Sequence, residues 1–276
     1  MNVSVIVTTF NRSIQLRRGI STLLNQSIEV PYEIIIVDDG SQDDTKMMVK
    51  ALTEVGKSKG VEVKYIYLDY PDHRISCYPK NVGIRRADGD VLVFCESELL
   101  HVDRTLDQLV GKFEEFPASI PIATQIWTMG KLVYDSLSED DFRDPQRILH
   151  HRYAQLTTSS NMHNLNAPNA DWGITGSKNC LTGAFFACWK KDIIELGGWD
   201  EDFEGFGFDD FDLFMRFDLY GKARLYCNDI IIIHLWHEKN YPFDIHAAAI
   251  RNGKIAEARI HAGEYRANIG KEWGKL

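Results

Sequence analysis

Several acidic and imidazole groups stand at points in this sequence where a folded chain could put them to chemical use. The stretch Gly89-Asp90-Val91-Leu92-Val93-Phe94-Cys95-Glu96-Ser97-Glu98 starts in a turn, runs through apolar residues and ends in two carboxylates one residue apart. A short apolar run bounded by turn residues predicts a central parallel strand, buried on both faces. Ligands of open α/β sheets bind beyond the carboxyl ends of such strands. Two carboxylates at that mouth repel each other unless a cation holds them. Mg²⁺ and Mn²⁺ take oxygen ligands and bridge to substrate phosphates, so Glu96 and Glu98 are candidate metal ligands. The competing reading is a pair of glutamates that cap a strand in solvent. Asp38-Asp39-Gly40-Ser41 ends another β-branched run. An Asp there can accept a hydrogen bond from a base or ribose, or simply make a turn. Asp209-Asp210-Phe211-Asp212 lies among glycines and aromatics at the start of a helical pattern, where the dipole favours carboxylates. Ile230-Ile231-Ile232-Ile233 predicts a buried strand ending at His234-Leu235-Trp236-His237. A histidine at a strand's carboxyl end suits a third metal ligand, His234 first and His237 second. A mixed carboxylate–imidazole set tilts the choice from Mg²⁺ toward Mn²⁺.

The elements that must position these groups alternate in type. Val3–Thr9 and Glu33–Val37 read as strands, as do Val63–Leu68 and the run into Glu96. Between them Leu16, Ile20, Leu23 and Leu24, then Met48, Leu52 and Val55, recur at helical spacing, and Ser76–Ala87 reads as a helix with Pro79 in its first turn. Strand–helix alternation predicts an α/β fold with right-handed crossovers and a mostly parallel sheet. Asp103–Phe116 reads as an amphipathic helix. From Pro117 to Cys180 periodicity fades, and the segment is expected to be largely loop, with acceptor contacts and Trp172 able to stack on a sugar. Leu181–Lys190 reads as a strand, followed by a short helix to Leu196. Asp244–Leu276 reads as helical and is expected to cover the site or pack on the sheet.

The chain has 276 residues, of which 44% are hydrophobic and 26% charged, ordinary for a globular protein with a sizeable core. Its net charge of −9 argues against broad nucleic-acid binding. No apolar run is long enough to span a membrane, and no signal-peptide pattern precedes the first strand. The five cysteines include no C-x-x-C pair, so neither a disulfide framework nor a zinc site is expected. A cytoplasmic protein with reduced thiols follows as the expectation. Neither G-x-G-x-x-G nor a P-loop occurs.

Taken in order, Ser4-Val5-Ile6-Val7-Thr8-Thr9-Phe10-Asn11-Arg12, Val37-Asp38-Asp39-Gly40-Ser41, Lys80-Asn81-Val82-Gly83 and Gly89-Asp90 leading to Glu96-Ser97-Glu98 resemble the family 2 glycosyltransferases. The family has the GT-A fold, a Rossmann-like nucleotide-binding half joined to an acceptor-binding half, and uses nucleotide-diphosphate sugars. The resemblance implies that Thr8 and Asp39 seat the uracil or ribose, with Phe10 and Arg12 nearby. It implies a diphosphate flanked by Lys80, Asn81 and, more loosely, Arg74. Glu96, Ser97 and Gly183 complete the expected nucleotide-sugar set. The departure is Glu-Ser-Glu where the family usually has Asp-x-Asp. A second block, Gly197-Gly198-Trp199-Asp200-Glu201 followed by Asp209-Asp210-Phe211-Asp212-Leu213 and Arg216, resembles galactosyl- and N-acetylgalactosaminyl-type transferases. In their inverting members the second acid of the pair is the general base, here Asp210 with Asp209 beside it. Trp199 joins Trp172 as a candidate acceptor contact. A histidine in the place of His234 helps hold the metal in related families.

These readings combine into one domain over residues 1–276: a nucleotide-sugar half at 1–116, an acceptor half at 117–243 and a helical extension at 244–276. The expected activity is metal-dependent, inverting transfer of a hexose from a UDP-sugar to a hydroxyl of a glycan or other acceptor. A retaining transferase, a nucleotidyltransferase and a non-catalytic binder of sugar nucleotide or glycan are the alternatives.

Overall fold

The structure is a computed structural model and describes residues 1–69, 77–157, 171, 173–178, 182–238 and 244–276. Its first half follows the alternation expected: β1 (Val3–Thr9), α1 (Ser13–Leu23), β2 (Tyr32–Asp38), α2 (Thr45–Lys59), β3 (Glu62–Tyr67), α3 (Cys77–Arg86) and β4 (Val91–Glu96). There follow β5 (Leu99–His101), α4 (Thr105–Glu115), β6 (Ser119–Met129), three short helices α5 (Lys131–Ser136), α6 (Glu139–Arg143) and α7 (Pro145–Leu149), β7 (Ala154–Thr157) and β8 (Ile174–Ser177). The second half closes with β9 (Phe185–Trp189), α8 (Lys190–Glu195), α9 (Asp209–Leu219), β10 (Ala223–His234) and α10 (Ile245–Ala262). One mixed sheet runs β3-β2-β1-β4-β9-β6-β10-β5, with β8 on β6 and β7 on β8.

The apolar runs are continuous because both faces of the sheet are covered. Val3, Val5 and Val7 pack with Leu16, Ile20 and Leu23 of α1 on one face. On the other, Ile6, Ile35 and Phe94 pack with Val82 of α3 and Leu213, Phe214 and Phe217 of α9. Alternate residues of a strand point to opposite faces, so each strand serves two cores.

Three expectations are revised. The strand β4 is parallel to β1 but antiparallel to β9, which inserts between β4 and β6. The weakly patterned segment after Pro117 contains the eleven-residue strand β6. Pro121 inside that run argues against a strand in a sequence reading, and Thr124 and Gln125 break its apolar character although both are buried. The tail is helical only over Ile245–Ala262. Beyond it an irregular arm lies against the Gly197–Trp199 turn, where Ala267 N–H donates to Leu196 O (2.9 Å) and Asn268 Nδ2 to Gly197 O (2.8 Å). Among the described residues no helix is long and apolar enough to cross a membrane.

Candidate active site

At the carboxyl ends of β1 and β2 two loops are laced together. Asn11, at φ 48°, donates its N–H to Ser41 Oγ (2.9 Å), and its Oδ1 accepts from Gln42 N (2.8 Å). The Asp38-Asp39 pair divides its work. Asp38 is fully buried and structural, accepting from Ser41 N (2.8 Å) and from the Tyr65 hydroxyl (2.7 Å). Asp39 is half-buried beyond the strand end, and its N–H bonds Thr9 O (2.8 Å). The β1–β4 register puts Thr8 opposite Glu96. Thr8 and Phe10, both partly exposed, therefore open onto the same sheet edge as the carboxylates.

The acid-x-acid stretch makes a tight turn from β4 into β5, and β5 pairs antiparallel with β10 in the register His234↔Leu99. That register draws residues far apart in sequence to one spot. Leu235 N–H donates to Glu98 O (2.9 Å), and Ser97 Oγ donates to Glu98 Oε2 (2.7 Å). His237 Nε2 lies 3.3 Å from Glu98 Oε1, and His234 Nε2 lies 3.9 Å from both Glu98 Oε1 and Glu96 Oε2. One ligand atom from each of Glu98, His234 and His237 falls within 4.8 Å of the others. This oxygen–nitrogen–nitrogen set has the reach and chemistry for a divalent cation of the Mn²⁺ kind. The Arg12 guanidinium sits behind it, 3.0 Å from His237 Nδ1 and donating to Glu238 O (2.9 Å). Glu238 O also lies 3.0 Å from His237 Nδ1 and is the acceptor that would fix the ring with Nε2 free for a cation. Arg12 thus anchors the Glu238 carbonyl behind His237.

The charges of the site are unequal. Burial opposes ionisation of Glu98, but the hydrogen bond from His237 and the two imidazoles outweigh it and hold the carboxyl well below its usual range. Glu96 moves the other way, raised by desolvation and then by the neighbouring Glu98 and Asp210 charges. Its side chain retains 42% of its surface, so water reaching through the mouth tempers that rise. The charges of Glu98, Asp210 and Asp209 all act on Glu96, with Lys80 opposing them.

Asp209 and Asp210 open helix α9. Gly183 N–H donates to Asp210 Oδ2 (2.8 Å), and a Cβ at Gly183 would stand 2.1 Å from Asp210 Oδ1, so a side chain there would displace this carboxylate. Burial and Asp209 raise the Asp210 carboxyl to about 6, with Lys80 and the Gly183 N–H opposing the rise. Lys80 Nζ bonds Asp209 Oδ2 (3.1 Å) and rests 3.7 Å above the centroid of the Trp199 ring. Its ammonium is held protonated by Asp209 and Asp210 against the opposing pull of burial.

Two sequence assignments are corrected. Trp199 has no exposed surface; its ring packs against Phe94 (5.5 Å) and Phe186 (6.1 Å), which makes it a floor for Lys80, not a surface for an acceptor. Asn81 is equally buried, donating to Trp199 O and Glu201 Oε1 and accepting from Trp199 N, each at 2.8 Å. A side chain so consumed ties α3 to the Gly-Gly-Trp turn and has no reach to a diphosphate. Arg74 and Trp172 lie outside the described residues. The sequence reading missed the buried charge network behind α9. Arg216 Nε bonds Asp212 Oδ2 (2.6 Å), while Arg259 of α10 bridges Asp212 (3.0 Å) and Asp200 (2.6 Å). Its only sequence signal was the i, i+4 spacing of Asp212 and Arg216.

Comparisons with known proteins bear on this arrangement. A sequence model described as glycosyl transferase family 2 matches residues 4–169. The chain is 22% identical over 270 residues to the uncharacterized glycosyltransferase YfnE of Bacillus subtilis, covering 87% of this chain and 66% of that protein. It is 35% identical over 114 residues to the poly(ribitol-phosphate) β-N-acetylglucosaminyltransferase TarP of Staphylococcus aureus, covering 41% of this chain and 33% of TarP. The chain thus spans between a third and two thirds of these relatives. Among solved structures, S. aureus TarS 1–349 in complex with UDP-GlcNAc superposes with a TM-score of 0.62 at 15% identity, over 94% of this chain and 66% of that one. The mannosyltransferase PcManGT from Pyrobaculum calidifontis, in complex with GDP-Man and Mn²⁺, superposes with a TM-score of 0.55 at 18% identity, over 95% and 62%. Its sheet is that of the GT-A enzymes, and by the match over most of its length the chain belongs to glycosyl transferase family 2.

Proposed function

We propose that the chain catalyses metal-dependent, inverting transfer of a hexose from a UDP-sugar to a hydroxyl of a glycan or other acceptor. The observation that carries the reading is the convergence of Glu98, His234 and His237 beside Glu96, whose carboxylate also feels the charges of Asp209 and Asp210. In it, residues 1–116 hold the nucleotide and residues 117–243 the acceptor. Asp39 and Thr8 seat the base and ribose at the edge where β1 and β2 end. Glu98, His234 and His237 would hold Mn²⁺ or Mg²⁺, with Glu96 at the periphery, and the bound ion supplies Lewis-acid neutralisation of the diphosphate. Asp210 accepts the proton of the attacking hydroxyl. Its carboxyl, raised to about 6, is ionised at neutral pH and basic enough for that task. The Gly183 N–H aims one of its oxygens, leaving the other for the acceptor. Lys80, fixed by Asp209 and Trp199, supplies positive charge beside the transferring sugar. A structural relative bound to UDP-GlcNAc and another bound to GDP-Man with Mn²⁺ support a nucleotide-sugar donor and a divalent ion.

The test is a calorimetric titration of UDP, GDP, dTDP and CMP, each with Mn²⁺ and with chelator. UDP binding that disappears on chelation is the expected result. Binding of no nucleotide would overturn the donor assignment, and binding indifferent to chelator would remove the metal roles of Glu98 and His234.

A further inference from the structure

Helix α9 starts without the local device that usually fixes a first turn. N-cap positions favour Ser, Thr, Asp or Asn, whose side chains bond the free N–H groups of the turn. The N-cap here is Phe208, which has no polar side-chain atom, although its carbonyl accepts the first helical bond from Asp212 N–H (2.8 Å). Phe208 also stands in the left-handed region at φ 66°, after Gly205 at φ 74° and Gly207 at φ 93°. Glycine takes such angles at little cost. A bulky residue there is strained, and the strain persists only where the surroundings enforce it. The turn that carries Asp209 and Asp210 is therefore set from outside its own sequence.

Helix α10 supplies the constraint. Asn252 is 1% exposed, and its Nδ2 lies 3.0 Å from Gly207 O, 3.1 Å from Glu204 O and 3.4 Å from Phe206 O, so that two N–H bonds are shared among three carbonyls of the turn. Arg251 beside it donates to Glu204 O (2.7 Å). Buried carbonyls stripped of such a donor would be costly, which ties the turn to the helix in one arrangement. A Cβ at Gly253 would come within 3.2 Å of the Phe208 ring, so the glycine lets that ring lie against α10. Asn252, the buried Ala256 and Arg259 follow at i, i+4 and i+7, on one face of α10. Arg259 bonds Asp212 (3.0 Å), in the first turn of α9. Two positions on that face thus grip the segment on either side of Asp210.

The Asp210 carboxylate has little room for error, since its Oδ2 takes the Gly183 N–H at 2.8 Å. A reacting group displaced by about 1 Å can lose roughly 100-fold in rate. We propose that Asn252 is a positioning residue for Asp210: through the carbonyls of Glu204, Phe206 and Gly207 it holds Phe208 left-handed, and so sets the orientation of the first turn of α9 and of the carboxylate it carries. The inference rests on Asp210 as the base.

The test is amide NMR on the whole chain. The Gly183 amide proton reports its bond to Asp210, and Asp210→Asn marks the position it takes when the acceptor loses its charge. Asn252→Ala is expected to move the Gly183 resonance by at least half of that displacement, while the amides of Asn11 and Asp39, at the ends of β1 and β2, stay in place. Adding Phe208→Gly, which frees the left-handed angle of strain, is expected to reverse at least half of the movement. An unmoved Gly183 resonance with a lowered urea midpoint would make Asn252 merely structural and overturn the proposal. A movement that Phe208→Gly does not reverse overturns it as well. If Asn252→Ala does not fold, Arg251→Ala takes its place, on a side chain 47% exposed whose loss removes one bond to Glu204 O. Gly183 is then expected to move in the same direction, and an unmoved resonance overturns the proposal. Failure of the base reading is seen separately, as turnover that survives Asp210→Asn while the Gly183 resonance still answers to Asn252.

Discussion

His101 offers a measurement that needs no substrate. It ends β5, next to the Glu96–Glu98 turn, and is 1% exposed. Its Nε2 lies 3.3 Å from Cys95 Sγ, its ring 4.8 Å from that of Phe185, and its Nδ1 has no hydrogen-bond partner. Nothing there stabilises an imidazolium, and burial lowers the pKa to about 3. In the unfolded chain the same group titrates near about 6.5. Above pH ~6.5 both states are neutral and the residue imposes no penalty. Below it the unfolded chain takes up a proton that the folded chain refuses, so stability falls with pH by about 1.4 kcal/mol per unit. The loss continues until the folded-state group itself titrates near 3. At pH 5 it amounts to about 2 kcal/mol. Leu in place of His fills a similar volume and cannot titrate. The assay is urea denaturation of wild type and His101→Leu at pH 7.5 and pH 5, taking the difference between the two proteins so that other titrating groups cancel. The variant is expected to gain about 2 kcal/mol on the wild type over that interval. A change smaller than about 0.5 kcal/mol, less than half of one titration unit, would mean that His101 carries its charge inside the fold, and would refute the reasoning.

Further outcomes follow from the site. Gly183→Ala pushes its Cβ into the Asp210 carboxylate, a yielding side-chain end, so the fold survives while the base shifts; transfer measured by nucleotide release should drop about 100-fold with the urea midpoint little changed. Asp210→Asn should lower the same rate by about 10²- to 10⁴-fold and leave Mn²⁺-dependent UDP binding intact; wild-type turnover would exclude it as the base. Arg259→Met leaves Asp212 and the fully buried Asp200 short of a partner and should lower unfolding stability by about 3–5 kcal/mol.

Much of the candidate site was legible because its residues stand where strands end. Glu98 and His234 could each be singled out as candidates from an apolar run followed by a polar residue, and Asp210 from its block. Their meeting could not be, since it depends on the register His234↔Leu99 of a three-residue strand too short to leave a pattern. Trp199 and Asn81 were misassigned for a related reason. A motif gives residue type and order, but the burial that turns an aromatic or an amide into structure comes from Phe94, Phe186 and the arm at Asn268, all distant in sequence. The strand β6 escaped because burial on both faces removes alternation and Pro121 masks the rest.

The insertion of β9 between β4 and β6 also bears on how the chain is made. Both of those strands leave the ribosome well before their common neighbour, and until Phe185–Trp189 follows, each presents an unpaired edge of apolar residues to its surroundings. Open edges of that kind invite pairing with other chains. A nascent chain stalled before β9 would therefore carry a sheet with a missing central rung. Its yield in the cell would depend on how quickly synthesis passes that point and on what shields the gap until then.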